Sequence, residues 1–245
     1  MKIVSSVMRI TFMNLGYALS DGETKIADFT LKHIDESHAD YNHILLYEKC
    51  LSFHPKYPKF KDLSLLEVGC GQGGGLAWLK RTRPELQALR GIDPVVVDSI
   101  GGIIRKGSAD SIPLQSASID VVINVESSHL YKQPEKFFQE VYRVLKPGGH
   151  LCWIDLRHDY QLDEPYKQAE AAGFDLTQSE DVTDQVVEGI RKTSAKYDAM
   201  LTKAPWMARL FAGSLRETYC APGTHSFNRL FTRQKLYHCA AWRKN

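Results

Sequence analysis

The chain has 245 residues, 43% of them hydrophobic and 24% charged, which suits one compact domain and excludes a disordered tail protein. Its 31 Lys and Arg against 29 Asp and Glu leave a net charge of +2, too weak a global field for a protein built to coat nucleic acid or an anionic membrane. No apolar run reaches the roughly 20 residues needed to span a bilayer, so no integral membrane association is expected.

Met1 to Ser20 carries Lys2 and Arg9 and no acid. Arg9 interrupts the one candidate apolar core of a secretory signal, while an organellar targeting segment stays open. Residues 1–62 predict a helical cap whose main helix spans Glu36 to Phe53, with Tyr41, Ile44, Leu45, Tyr47 and Leu51 at helical spacing. His54-Pro55 and Tyr57-Pro58 end it. From Leu63, short apolar runs at Leu65–Val68, Ala88–Ile92, Ile119–Val125 and Leu151–Ile154 alternate with helical stretches at Gly75–Thr82 and Pro134–Leu145. That alternation indicates a parallel sheet covered on both faces. A helix around Glu164–Ala172 and a strand from Gly173-Phe174 follow. Residues 181–230 read as helices, with Val182, Val186, Val187 and Ile190 on one face and Met200, Trp206, Leu210 and Phe211 further on. Trp206, Met207 and Phe211 read as helix core rather than acceptor wall. Lys235–Arg243 is a short aromatic strand within residues 231–245. The expectation is a single α/β domain over 1–245, doubly wound, with a core at 63–180 and a helical insertion before the last strand that could cover a site at the sheet's carboxyl edge.

Cys50, Cys70, Cys152, Cys220 and Cys239 are dispersed, with no pair at metal-ligand spacing. An odd, scattered set suits a reducing compartment, and the cytoplasm is the expected location. His33, His38 and His43 recur at an interval that spreads them around a helix, so they read as surface or locally bonded histidines, and no metal is expected.

The most informative stretch is Leu65-Leu66-Glu67-Val68-Gly69-Cys70-Gly71-Gln72-Gly73-Gly74-Gly75. A buried strand runs into closely spaced glycines that let the backbone approach a ligand, and a helix begins at once. The glycines fit both G-x-G-x-x-G and G-x-G-x-G, so alone they do not separate a dinucleotide from other adenosine cofactors. Asp93, closing the next strand in Gly91-Ile92-Asp93-Pro94, lies about 20 residues beyond, where an acid accepts hydrogen bonds from ribose hydroxyls. Glu67 would repel a pyrophosphate and attract the ammonium and sulfonium of S-adenosylmethionine. Cys70 reads as a packing residue.

On these residues the sequence resembles the class I S-adenosylmethionine-dependent methyltransferases. Ser108-Ala109-Asp110-Ser111-Ile112-Pro113-Leu114 resembles their adenine-contacting loop, Ser118 to Asn124 their fourth strand, and Val144-Leu145-Lys146-Pro147-Gly148-Gly149 the turn into the fifth. Asn14-Leu15-Gly16-Tyr17, Glu126-Ser127-Ser128-His129-Leu130-Tyr131, Trp153-Ile154-Asp155-Leu156-Arg157 and Pro222-Gly223-Thr224 look like the small-molecule branch that methylates natural-product, sugar and glycolipid hydroxyls. This branch includes phthiotriol and demethylrifamycin O-methyltransferases. Ala18 departs from the commoner Gly-Tyr-Trp and removes one aromatic wall over the cofactor. The resemblance implies a Rossmann-like, mostly parallel seven-stranded sheet and a cofactor-binding set of Tyr17, Glu67, Gly69, Cys70, Gly71, Gln72, Gly73, Asp93, Pro94, Ala109, Asp110, Ser111, Asn124, Val125 and Glu126. Asn124-Val125-Glu126-Ser127 stands where DNA- and amine-methylating branches carry an Asn/Asp-Pro-Pro-aromatic motif, which argues against methylation of bases.

Methyl transfer from a sulfonium needs an aligned nucleophile and a route for its proton. His129, just past the fourth strand, is the candidate base, with an ordinary pKa near 6.5. A histidine that only packs in its loop is the competing reading. Asp155, at the end of the fifth strand, would orient the imidazole or bind the acceptor hydroxyl, and sugar-methylating relatives use such a pair. Glu126 would contact cofactor or substrate, or serve as a buried structural carboxylate. The leading expectation is methylation of a hydroxyl on a small hydrophobic acceptor. Carbon methylation of a lipid, sterol or quinone precursor, a non-catalytic cofactor-binding module and a nicotinamide dehydrogenase are the alternatives. Oligomeric state stays open between monomer and homodimer.

Overall fold

The computed structural model describes residues 11–96, 101–203 and 212–245. Helices α1 (Thr24–Leu31) and α2 (Tyr41–Ser52) precede β1 (Ser64–Val68). The chain continues through α3 (Gly74–Thr82), β2 (Ala88–Asp93), β3 (Ile104–Lys106), β4 (Ile119–Val125), α4 (Pro134–Val144), β5 (Leu145–His158), α5 (Asp163–Ala171) and β6 (Phe174–Asp181). Then come α6 (Thr183–Lys203), α7 (Ala212–Thr218), α8 (His225–Phe231) and the last strand, β7 (Lys235–Lys244).

Among the described residues the seven strands form one sheet in the order β3-β2-β1-β4-β5-β7-β6. Strands β1 to β5 are parallel, and β7 runs antiparallel to both β5 and β6. Strand alternation sends Leu65, Val121, Ile123 and Val125 to one face, against α2, α6 and α8. It sends Leu66, Val68 and Val122 to the other, against α4 and α5. Both faces are therefore covered, which is why β1 is buried along its whole length. Pro134 opens α4, where a missing N–H leaves no bond unmade, and Phe137, Phe138, Val141 and Val144 form its buried face.

The order reverses between β1 and β4: β2 and β3 lie to one side of β1, β5 and β7 beyond β4. Segments leaving the carboxyl ends of β1 and β4 diverge and open a crevice there. Gly69 leaves β1 at this point, and Glu126 leaves β4.

Three elements differ from the sequence expectation. Helix α2 begins at Tyr41 rather than Glu36, because the Asp35 carboxylate accepts the Ser37 N–H at 2.9 Å and holds a local turn that competes with helix. Strand β3 is an additional element, and its three residues are too few to show alternation. Strand β5 extends well beyond Leu151–Ile154 because it pairs with β4 along one edge and β7 along the other.

Candidate active site

The glycine turn follows β1 with Gly69, Gly71 and Gly73 at φ of +74°, +53° and +81°. A Cβ on Gly69 would collide with the Ser127 hydroxyl and stand 2.7 Å from the Tyr131 hydroxyl. A Cβ on Gly71 would meet nothing within 4 Å. The Gly71 N–H donates to Asp93 Oδ2 at 2.9 Å, and Asp93 Oδ1 accepts the Val95 N–H at 2.9 Å. The acid at the end of β2 is thus held beside open space over the turn, with lone pairs left for a ribose. Cys70 packs below the turn with Leu76 and Ile104, and burial pushes its thiol up. Gly73 N–H donates to Cys70 O at 2.9 Å, closing the loop that contains half-buried Gln72.

Glu67 is fully buried. Its Oε1 accepts the Tyr47 hydroxyl at 2.7 Å, while Oε2 has no partner among the described residues. Burial, opposed by the Tyr47 hydrogen bond and reinforced by the Asp93 charge, pushes its pKa up to about 8. An orphaned buried carboxylate oxygen beside an open glycine turn matches a cofactor that carries positive charge. On this test the residues fit S-adenosylmethionine. Pro94 is exposed after β2. Beyond β3, Ser108 and Ser111 bridge, so Ala109 and Asp110 sit at the tip of a tight loop that the Ile112 N–H ties to Glu140 of α4 at 2.7 Å.

At the end of β4, Asn124 and Val125 are buried. The Asn124 amide nitrogen lies 2.9 Å from Val68 O, 2.8 Å from Ser127 Oγ and 2.9 Å from the Tyr131 hydroxyl, joining the carboxyl ends of β1 and β4. Val125 packs in the core. Glu126 takes a left-handed φ of +47°, and its Oε2 accepts the Leu15 N–H at 2.7 Å and the Tyr237 hydroxyl at 2.5 Å. Burial pushes its pKa up to about 7 against those two bonds. Glu126 therefore clamps the N-terminal segment to β7.

Tyr17 packs within the N-terminal cap. It is fully buried, and its hydroxyl donates to the Glu23 carboxylate at 2.9–3.0 Å. The Asn14-Leu15-Gly16-Tyr17 motif instead ties the cap together: Asn14 Oδ1 accepts the Gly16 N–H at 3.0 Å and lies 3.1 Å from His43 Nδ1. His43 is not a surface histidine. It is buried between this segment and α6, its Nε2 lies 2.9 Å from the Tyr197 hydroxyl, and burial pushes its pKa down to about 4. His33 Nδ1 lies 2.9 Å from Phe29 O and His38 Nδ1 accepts the Asp40 N–H at 3.1 Å, the local bonds expected of them, and the His33 ring also meets the edge of Trp78.

His129 and Asp155 come together. A single 3₁₀ turn, Ser128–Leu130, carries the imidazole after β4. Its Nδ1 lies 2.6 Å from Asp155 Oδ1, and its backbone N–H donates to Oδ2 at 2.9 Å. Ser128 Oγ donates to Oδ2 at 2.6 Å, and an Arg157 nitrogen stands 3.1 Å away. Burial favours protonation of Asp155, but the His129 and Arg157 charges and the Ser128 hydroxyl outweigh it and hold the carboxyl well below the usual range. Burial works the other way on His129, yet the Asp155 charge and hydrogen bond, aided by Glu126, raise it above an ordinary histidine. An ionised Asp155 makes Nδ1 the donor and leaves Nε2 as the basic nitrogen. Ser128, within the Glu126–Tyr131 motif and next to His129, joins the site through its bond to Asp155.

The imidazole sits where two cavities meet. One, about 290 Å³, lies between Ser128, Tyr131, Arg157, His158 and Glu164. The other, about 230 Å³, is walled by Leu15, Glu126, Cys220 and Leu230. His129, Leu156 and Lys235 line both. The insertion thus supplies walls of the second cavity from α7, α8 and the turn between them. Trp206, Met207, Leu210 and Phe211 lie outside the described residues, as do Met1 to Ile10 and the side chain of Met200. Among the described residues no cluster of His, Cys, Asp or Glu is placed to hold a metal, and no helix is long and apolar enough to cross a membrane.

Comparison with known proteins bears on this site. The family described as a methyltransferase domain matches residues 66–153. Phthiotriol/phenolphthiotriol dimycocerosates methyltransferase 1 of Mycobacterium ulcerans is 33% identical over 196 residues, covering 76% of this chain and 68% of that protein. The fatty-acid O-methyltransferase of Mycolicibacterium smegmatis is 32% identical over 154 residues, 59% of this chain and 56% of that one. Among solved structures, the [4+2]-cyclase SpnF superposes with a TM-score of 0.67 at 17% identity, over 99% of this chain and 91% of that one. Geranyl diphosphate C-methyltransferase from Streptomyces coelicolor A3(2) gives 0.61 at 14% identity, over 95% and 91%. These two share the fold, and the cyclase shows that the fold alone does not set the reaction.

Proposed function

The chain belongs to the S-adenosylmethionine-dependent methyltransferases, and on that premise we propose that it methylates a hydroxyl of a small apolar acceptor, with His129 as general base and Asp155 as its orienting carboxylate. The observation that carries this reading is the 2.6 Å contact between His129 Nδ1 and Asp155 Oδ1 where the two cavities meet.

In this reading the Gly69–Gly73 turn, Glu67 and Asp93 hold the cofactor, with Pro94, Ala109, Asp110 and Ser111 around its adenine end. Asn124, Val125 and Glu126 shape the crevice from behind: the Asn124 amide nitrogen and the Glu126 carboxylate already serve neighbouring groups, while Asn124 Oδ1 is buried without a partner among the described residues. Bound S-adenosylmethionine supplies a methyl group already activated by its sulfonium. The protein aligns the acceptor oxygen and takes its proton. The acceptor O–H donates to His129 Nε2, the proton passes to that nitrogen, and Asp155 stays ionised beside the resulting imidazolium. Leu15, Leu156 and Leu230 offer apolar contact to the acceptor, and the insertion acts as a lid that selects it. Relatives named for lipid acceptors support an apolar substrate. The five cysteines, all free and buried, support work in a reducing cytoplasm.

The test is methyl transfer from labelled S-adenosylmethionine to a panel of apolar alcohols and phenols, with the product bond assigned by NMR. An ether methyl, lost in His129→Ala, is expected. A carbon-bound methyl, or unchanged turnover in His129→Ala, overturns the assignment.

A further inference from the structure

The second cavity beside His129 carries two hydrogen-bond acceptors that the protein leaves open. One is His129 Nε2: Asp155 engages Nδ1, and nothing among the described residues engages Nε2. The other is Glu126 Oε1. The second oxygen of that carboxylate, Oε2, takes both the Leu15 N–H and the Tyr237 hydroxyl. Oε1 has no partner among the described residues, and unlike Glu67 Oε2 and Asn124 Oδ1 it is not sealed in the core. Glu126 and His129 line the same cavity, and each feels the other's charge.

The remaining polar groups of this cavity offer no such pair. Glu217 and Thr218 are exposed; Glu217 Oε1 accepts from Ser226, and the Thr218 hydroxyl donates to Ser214 O. Lys235, the one ammonium in the lining, forms no ion pair with Glu126 and, besides burial, feels Arg229, Cys220 and Asp155. Leu15, Leu156 and Leu230 supply apolar wall. Glu126 holds a left-handed φ of +47°, and Cys220, on the same wall, one of +57°. Such backbone costs about 1–2 kcal/mol for a residue with a Cβ, and it clusters at ligand sites. The clamp to Leu15 and Tyr237 uses one oxygen only. An amide oxygen would serve it without the cost of a half-buried charge; the second oxygen is what the carboxylate adds.

We propose that Glu126 Oε1 accepts a hydrogen bond from a second hydroxyl of the acceptor, beside the hydroxyl that gives its proton to His129 Nε2. The acceptor is then an apolar diol, its two O–H groups meeting two fixed acceptors and its chain lying along the leucines. A mono-alcohol leaves a desolvated carboxylate oxygen without a donor, a mismatch that a site discriminates against strongly. Glu126 is a specificity-determining residue and takes no proton. This rests on the hydroxyl-methylating reading above.

Binding of 1,2-octanediol, 1,3-octanediol, 1-octanol, 2-methoxy-1-octanol and 3-methoxy-1-octanol is measured by calorimetry with S-adenosylhomocysteine present. The pH is set at 8.5, above the value of about 7 to which burial raises Glu126. The wild-type protein is expected to bind at least one diol about tenfold or more tightly than 1-octanol and than the matching methyl ether, the size of one hydrogen bond to a charged group. The ether keeps the second oxygen and lacks only its donor. Glu126→Gln keeps an oxygen for Leu15 and Tyr237 but turns an amide NH2 to the cavity, and is expected to lose the preference. Equal binding of diol and mono-alcohol, equal binding of diol and ether, no binding of either diol, or a preference kept in Glu126→Gln overturns the proposal. The wild-type ratios decide the matter if Glu126→Gln does not fold. Methyl transfer to the diols is read separately. Its absence, with diol preference intact, counts against the hydroxyl reading and leaves the Glu126 contact standing.

Discussion

His129 Nδ1 stands 2.6 Å from Asp155 Oδ1, although the two residues are 26 positions apart in the chain. The parallel pairing of β4 with β5 produces this contact. Val125 lies opposite Ile154, and the Glu126 N–H donates to Ile154 O at 2.8 Å, so the residues that follow each strand emerge side by side. The dyad is therefore a consequence of strand register, and slipping that register by one residue would turn Asp155 to the other face.

Its electrostatics predict a pH profile. Asp155 raises His129 above the ordinary 6.5, and a base must be neutral to act. The acid limb of kcat/KM is therefore expected to have its midpoint above 6.5. Asp155→Asn removes the raising charge, so the midpoint moves to lower pH while kcat falls. His129→Ala is expected to lower kcat by about 10²–10⁴-fold. Initial rates between pH 5 and 9 check both.

Ser128 donates to Asp155 Oδ2 at 2.6 Å and accepts from Trp153 Nε1 and Arg157 at 2.8 Å each. Ser128→Ala leaves two buried donors without this acceptor and loosens Asp155. A stability loss of about 1–3 kcal/mol is expected in urea denaturation. Because Asp155 then holds a proton more readily, kcat should fall with KM little changed.

Glu67 links cofactor binding to stability. The folded state holds it near 8 against an ordinary 4.5, mainly through burial. Between those values the folded protein binds more protons than the unfolded chain, so this contribution is fully present below 4.5 and lost as pH rises through 8. Glu67→Gln should flatten the fall in Tm of the cofactor-free protein across that window. It should also weaken S-adenosylmethionine binding by about tenfold, since one charge-assisted contact disappears. Thermal melts and calorimetry at pH 5, 6.5 and 8 separate the two effects.

Gly69 and Gly71 should respond differently to alanine. Both have left-handed φ, a strain of about 1–2 kcal/mol for a residue with a Cβ. At Gly69 a collision with Ser127 is added; at Gly71 there is open space. Gly71→Ala is thus expected to fold with a modest stability loss while S-adenosylhomocysteine binding drops at least about tenfold. Gly69→Ala should lose more stability. Denaturation midpoints and binding isotherms on the two variants check this ordering.

The turn and the strands around it are legible from local sequence. Leu65–Val68, Gly69 to Gly73 and Asp93 lie within one strand–helix–strand unit, where apolar runs, glycine spacing and a strand-end acid are local signals. The same locality explains Ile119–Val125 and the buried face of Val182, Val186, Val187 and Ile190, all legible from periodicity and all found. Tertiary structure decided what depends on long-range register and packing. Tyr17 turned inward because Glu23 receives its hydroxyl. Glu126 became a clamp because Leu15 and Tyr237, each 111 positions away, converge on one oxygen. Lys235 reached the site only because β7 returns antiparallel beside β5. Periodicity records which face of an element is apolar. It carries no information about which distant polar group will stand opposite once the strands are laid side by side, and the chemistry of this site is made of such meetings.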